Sequence, residues 1–212
     1  MNNIIDTNCQ TIQANVQEQI VNMSLEKAEQ SRAEFESDWY ADDHLYLTLA
    51  ERKLLNEWLN NFDLPEIDYA VLFQKKCLPE LKNDNIHIDY NDALGVLSKA
   101  VVNFPIMNCL DTKMTWWSGN YSWTKKYASK RAETSLEKTQ NCSIPFADLH
   151  WHSEPELAET YNIGDKAFLA KVDTPHSVTA GNQFRIVLSL RLQGNPDFQT
   201  LKNTYLKSIY DI

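Results

Sequence analysis

Basic residues are in deficit: 20 Lys and Arg stand against 29 Asp and Glu, giving a formal net charge of −9 and a pI near 5.0. Nothing global attracts a phosphate backbone, so unspecific binding to nucleic acid is not expected. Long apolar runs are also missing. No stretch approaches the roughly eighteen apolar residues that a membrane helix needs, which argues against a membrane role. The opening Met1-Asn-Asn-Ile-Ile-Asp has neither a basic leader nor a long apolar segment, so no secretion signal is visible and the cytoplasm is the default compartment. The four cysteines, Cys9, Cys77, Cys109 and Cys142, are scattered without any Cys-x-x-Cys pair. That excludes a small disulfide framework and disfavours a thiolate zinc site.

What is present fits one domain of 212 residues, read as a helical part over 1–62 packed outside a β core over 63–192, with an insertion over 118–165. Up to about residue 43 the chain lacks glycine, and Ile12, Val16, Ile20 and Met23 recur at helical spacing, predicting a helix within 12–35. Eight acids and two bases between Glu18 and Asp43 read as a solvated face. Thr48-Leu-Ala-Glu51 is a capping box that opens a second helix over 48–61, with Leu54, Leu55, Trp58 and Leu59 as its buried side. Strands are predicted over Ile67–Leu78, Ala100–Met107 and Thr112–Trp117, with Lys82–Asn85 turning the chain into Asn85-Ile86-His87-Ile88-Asp89-Tyr90.

That last stretch carries the chemistry. In a strand, residues two apart share a face, so His87 and Asp89 project together while Ile86 and Ile88 pack behind them. His176 would complete a set of two imidazoles and one carboxylate, the facial triad that leaves positions open on non-haem Fe(II). Downstream, His176 to Arg191 reads as strand, Gly-Asn turn and strand, with the turn centred on Ala180 to Gln183. This arrangement predicts His176 and Arg185 on adjacent paired strands. Arg185, a cation in an apolar run, calls for a carboxylate partner, and a bound dicarboxylate would supply one.

With His87-x-Asp89, a distal His176 and Arg185 soon after, the chain resembles the Fe(II)- and 2-oxoglutarate-dependent oxygenases. Further likeness runs over 66–192, through Ala100-Val-Val-Asn-Phe-Pro-Ile, Gly164-Asp165 and Ala167-Phe-Leu-Ala. The resemblance implies a double-stranded β-helix, a cupin-like jelly roll that is mainly β with flanking helices. It also implies Fe(II) held by His87, Asp89 and His176, 2-oxoglutarate as cosubstrate with its distal carboxylate on Arg185, and O2 as oxidant. Hydroxylation of a small-molecule or peptide substrate is the activity implied, and the carboxylate of Asp89 disfavours halogenation. Two features depart from the family. The interval between Asp89 and His176 is a long 86 residues, and Val187 stands where a serine often follows the arginine, with Ser189 on the same strand face as a substitute.

Between Thr112 and Ala132, running into the insertion, there are five bases and no acid. Trp116, Trp117, Tyr121, Trp123 and Tyr127 accompany Lys125, Lys126, Lys130 and Arg131, a combination that could grip an anionic or flat substrate. A helix is predicted from Ser153-Glu-Pro-Glu156 to about Asn162. His150 and His152 form a rival metal pair without a carboxylate, and His44 is assigned to the surface. Because jelly rolls host many activities, a metal-binding module without oxygenase activity, a sensor or isomerase, is the alternative. Substrate identity and oligomeric state stay open.

Overall fold

The computed structural model describes residues 8–32, 39–42, 45–75, 86–91, 94–128, 144–179 and 183–210. In chain order its elements are β1 (Cys9–Asn15), α1 (Glu18–Arg32), β2 (Trp39–Asp42), α2 (Leu49–Asn60), β3 (Ile67–Lys75), β4 (His87–Asn91), β5 (Val96–Leu97) and β6 (Ala100–Met107). These are followed by β7 (Lys113–Ser118), β8 (Tyr121–Ala128), β9 (Ile144–Trp151), β10 (Glu156–Asn162), β11 (Lys166–Lys171), β12 (His176–Thr179), β13 (Arg185–Leu192) and α3 (Phe198–Tyr210).

Two antiparallel sheets face each other. One runs β1-β11-β6-β13-β3-β2 and the other β10-β7-β12-β4-β9-β8, with β5 paired to β4. Following β3, β4, β6, β7, β10, β11, β12 and β13, the chain changes sheet at every step except from β7 to β10. This alternation defines a jelly roll, the double-stranded β-helix expected from the sequence.

Strand β13 shows how the layers are sorted. Ile186, Leu188, Leu190 and Leu192 point outward into a core shared with Ile20 and Met23 of α1, Leu55, Trp58 and Leu59 of α2, and Phe198, Leu201 and Tyr205 of α3. The alternate residues turn inward, where Val187 joins Val101, Cys109, Met114, Trp116 and Phe168 between the sheets. All three helices therefore cover one sheet, and the space between the sheets is left to a smaller apolar cluster and to polar groups. Helix α2 begins as its capping box dictates: the Thr48 hydroxyl accepts from the Glu51 amide at 3.3 Å, and the Glu51 carboxylate accepts from the Thr48 amide at 2.6 Å. Its Trp58 then meets Phe104 of β6 edge-on, with ring centroids 4.7 Å apart.

Four expectations need correction. The helix predicted within 12–35 is a strand followed by a helix: Cys9–Asn15 pairs with β11, and α1 starts at Glu18. Ile12, Val16, Ile20 and Met23 mimic one helical stripe because the same outer core receives both elements. The helix predicted from Ser153 to Asn162 is β10, paired with β7 from Glu156↔Ser118 to Asn162↔Lys113. Pairing along the open side of β7 prevails over the local capping signal. Since β10 belongs to the jelly roll, it leaves the stretch read as an insertion, where β8 and β9 are the described strands and β9 adds to the edge of β4. Finally, β12 and β13 are not paired neighbours; β12 lies between β7 and β4, and β13 between β6 and β3. Of the turn between them, 180–182 lie outside the described residues, as do the Lys82–Asn85 turn and His44.

Candidate metal centre

His87 and Asp89 leave β4 on the same face, with Ile88 buried on the other. The first residue of β12 is placed beside them by register, His176 opposite His87, with the two imidazole centroids 4.5 Å apart. The crossing segment before β12 is pinned at each step. The Asp89 amide donates to the Val172 carbonyl at 3.1 Å, and the Trp117 amide donates to the Pro175 carbonyl at 2.9 Å. One donor atom from each of His87, Asp89 and His176 comes within 4.8 Å of the others. No other group of three such donors converges among the described residues.

The protonation of this group follows from its partners. His176 Nδ1 lies 3.0 Å from the Thr174 carbonyl, which can only accept, so Nδ1 carries the proton and Nε2 presents a lone pair. Burial, reinforced by the charge of His87, pushes the His176 pKa down to about 4 against the pull of Asp89. For Asp89, burial alone would raise the carboxyl. Arg191, then the hydrogen bond from His87 and the charge of His176, outweigh it and hold the group well below the usual carboxylate range. A carboxylate oxygen, Asp89 Oδ1, thus faces the lone pair of His176 Nε2 at 3.7 Å and lies 3.4 Å from His87 Nε2. Two acceptors turned toward each other in a buried place repel unless a cation sits between them, and a divalent ion that takes nitrogen and oxygen donors fits this set.

Arg191 contributes a feature that motif spacing alone missed. Its Nη2 lies 2.8 Å from Asp89 Oδ2, which occupies one carboxylate oxygen and leaves Oδ1 for the imidazole side. The signal available in the sequence is parity: Arg185, Val187, Ser189 and Arg191 fall on one face of β13. Ser189 sits buried on this face opposite Val71 and Asn103. Arg185 is at the far end, opposite Lys75, six residues and so about 20 Å along the strand from Arg191. It is buried beside Cys109, whose thiol pKa is raised by desolvation and drawn partly back by the guanidinium. The expected adjacency of His176 and Arg185 is thus replaced by an arrangement across the barrel. Their side chains share the space between the sheets, while the strands belong to opposite walls.

The expected substrate residues disperse. Trp116 is 1% exposed, inside the apolar cluster, with its indole N–H donating to the Lys171 carbonyl at 2.8 Å, so it packs the interior rather than a loop. Trp117 turns to the other face and donates to Ser177 Oγ at 3.0 Å. Lys125 also lies on the outer face, its ammonium 4.8 Å from the centroid of Tyr90, next to Trp123. That face is turned away from the His87 and Asp89 side of β4. Lys126 falls opposite Phe146 in register, and Lys130 and Arg131 lie outside the described residues. His150 Nε2 is 3.2 Å from Thr124 Oγ1, and His152 is exposed; the rival pair gathers no third donor among the described residues.

No protein-family model matches the chain, and no curated protein matches it. Among solved structures, the chain is similar to the epimerase SnoN in complex with Fe3+, alpha-ketoglutarate and nogalamycin RO, with a TM-score of 0.47 and 11% identity over 86% of this chain and 77% of that one.

Proposed function

We propose that the protein is an Fe(II)- and 2-oxoglutarate-dependent oxygenase that hydroxylates its substrate. The observation that carries this reading is the joint presence, between the two sheets, of a His87, Asp89 and His176 donor set and a buried Arg185 on the inner face of β13. Iron with 2-oxoglutarate bound there would supply oxidative decarboxylation to succinate and CO2, coupling O2 to oxidation of a substrate C–H bond. The chain's residues have separable tasks. His87 Nε2, Asp89 Oδ1 and His176 Nε2 hold the metal, and Arg191 fixes the Asp89 carboxylate from behind. Arg185, with Ser189 along the same face, binds the distal carboxylate of the cosubstrate by charge-assisted hydrogen bonds. The apolar cluster around Val187, Met114, Trp116 and Phe168 keeps water from that end.

The test is succinate release from 2-oxoglutarate by the full chain. Release should depend on Fe(II) and disappear in Asp89→Ala, which removes a ligand rather than core packing. Stoichiometric Fe(II) binding without succinate would instead make the protein a metal-binding jelly roll of the sensor or isomerase kind.

A further inference from the structure

Two buried polar side chains on the inner face of the first sheet have no part in holding the metal. Asn103 of β6 and Ser189 of β13 lie directly opposite each other in register, with Phe168 of β11 beyond Asn103 and Val71 of β3 beyond Ser189. Both turn into the space between the sheets, because their chain neighbours Val102, Phe104, Leu188 and Leu190 point into the outer core. Asn103 is 9% exposed and Ser189 is 1% exposed. Neither side chain makes a hydrogen bond to another of the described residues. They form a polar seam between two apolar clusters, with Val101, Trp116 and Phe168 on one side and Tyr69, Val71 and Phe73 on the other. A buried amide and hydroxyl without a protein partner cost free energy that a hydrogen-bonding ligand recovers.

The surroundings select the ligand. The inward positions of β13 also hold Arg185 and Arg191 and carry no acid. Amide N–H and hydroxyl donors in such a setting favour a carboxylate over a neutral group and repel a cation. Distance selects which carboxylate. Ser189 stands two residues, about 7 Å, along the strand from Arg191, whose guanidinium marks the metal end through its pair with Asp89. The carbon chain of 2-oxoglutarate spans about 5 Å between its carboxyl carbons when extended. With its 2-oxo acid end on the metal, its distal carboxylate falls at the level of Ser189 and Asn103. Arg185, four residues or about 13 Å further along the strand, serves the same carboxylate from beyond. Resting on the oxygenase reading above, we infer that Asn103 is a specificity-determining residue for the cosubstrate. Its amide NH2 donates to the distal carboxylate beside the Ser189 hydroxyl, so that β6 as well as β13 selects a 2-oxo diacid over a 2-oxo monoacid.

The test is equilibrium binding, read by titration calorimetry on the full chain loaded with Mn(II), an ion that accepts nitrogen and oxygen donors. The probes are 2-oxoglutarate and 2-oxopentanoate, which share the chelating end and differ in the distal carboxylate alone. The natural chain should bind the diacid about a hundredfold more tightly than the monoacid, and Asn103→Ala should reduce that ratio to about tenfold, the worth of one charge-assisted hydrogen bond. Asn103→Asp should remove the preference, because a second carboxylate then faces the first. In Asn103→Ala the affinities for Mn(II) and for 2-oxopentanoate should stay within about twofold of the natural chain, which a general loss of packing would not spare. Equal binding of the two acids by the natural chain, an unaltered ratio in Asn103→Ala, or a fall that Mn(II) and 2-oxopentanoate share overturns the inference and leaves the oxygenase reading standing. A natural chain that holds no metal, or that takes up neither acid once loaded, defeats that reading and this assignment with it.

Discussion

Asp89 answers to two partners at once, Oδ2 to Arg191 at 2.8 Å and Oδ1 to the imidazole side. Removing the cation strands a carboxylate whose side chain is 16% exposed. In metal-free protein, Arg191→Met should therefore cost about 3–5 kcal/mol of unfolding free energy, the usual penalty for breaking a buried pair from one side. The double variant Arg191→Met/Asp89→Asn should recover much of it, because no charge is then left uncompensated. Chemical denaturation of the natural chain, both of these variants and Asp89→Asn checks this; a double variant as unstable as Arg191→Met would place the value of Arg191 elsewhere. At the other end of β13, Arg185→Ala should raise the half-saturating concentration of 2-oxoglutarate about tenfold to a hundredfold while the Fe(II) titration stays put. A metal titration that moves as far as the cosubstrate titration would assign Arg185 to the metal rather than to the dicarboxylate. His87, Asp89 and His176 could be picked out as a set from motif and parity. Arg191 needed more, because its role depends on which strand faces β4, and residue spacing does not encode the pairing of two sheets.

Among elements, those whose signals are local were legible. The capping box set the start of α2 within a residue, and Ala100–Met107 is the strand expected. Thr48→Ala should remove about 1 kcal/mol, seen as a lower urea midpoint with an unchanged slope; an unchanged midpoint would mean that packing of Trp58 and Leu59 alone sets this helix. Elements that exist because a partner strand waits for them were not legible. For β1 the partner is β11, with Cys9 opposite Ala170, and its Ile12 and the Val16 just after it happen to continue the stripe of α1. Likewise β10 carries a helix-like start at Ser153-Glu-Pro-Glu156, yet the chain crosses to pair with β7, and Tyr161 packs on Phe168 at 5.4 Å between ring centroids. Helix α3 lies beyond the β core expected over 63–192, and Phe198, Leu201 and Tyr205 have helical spacing behind Asp197, whose Oδ1 accepts the Thr200 amide at 2.9 Å. That α3 closes the outer core is visible only once the Tyr205 hydroxyl is seen to accept the Gln13 amide of β1 at 2.7 Å.

Across the whole molecule, stability and chemistry occupy different layers. The largest apolar cluster lies between the helices and the outer face of one sheet, while the donor set, Arg185 and Arg191 lie between the sheets. A loss in the outer layer should therefore lower stability without touching the metal. Trp58 is the sharpest probe, being 2% exposed and seated between Phe62 and Phe104 at 4.8 and 4.7 Å between centroids. Trp58→Ala removes an entire buried indole and leaves a cavity that the surrounding core fills only in part, for a cost of about 3–5 kcal/mol. Its Tm should fall accordingly, and at temperatures where it remains folded it should bind one Fe(II) per chain with the affinity of the natural protein. The strands transmit little of the defect, since Leu188 and Leu190 face the helices whereas Ser189 and Arg191 between and beside them face the metal side, so outer repacking acts on alternate residues only. Calorimetry paired with an Fe(II) titration at low temperature separates the two layers. Metal affinity that falls together with Tm in folded Trp58→Ala would show that β13 couples its faces and that the helical layer helps shape the centre.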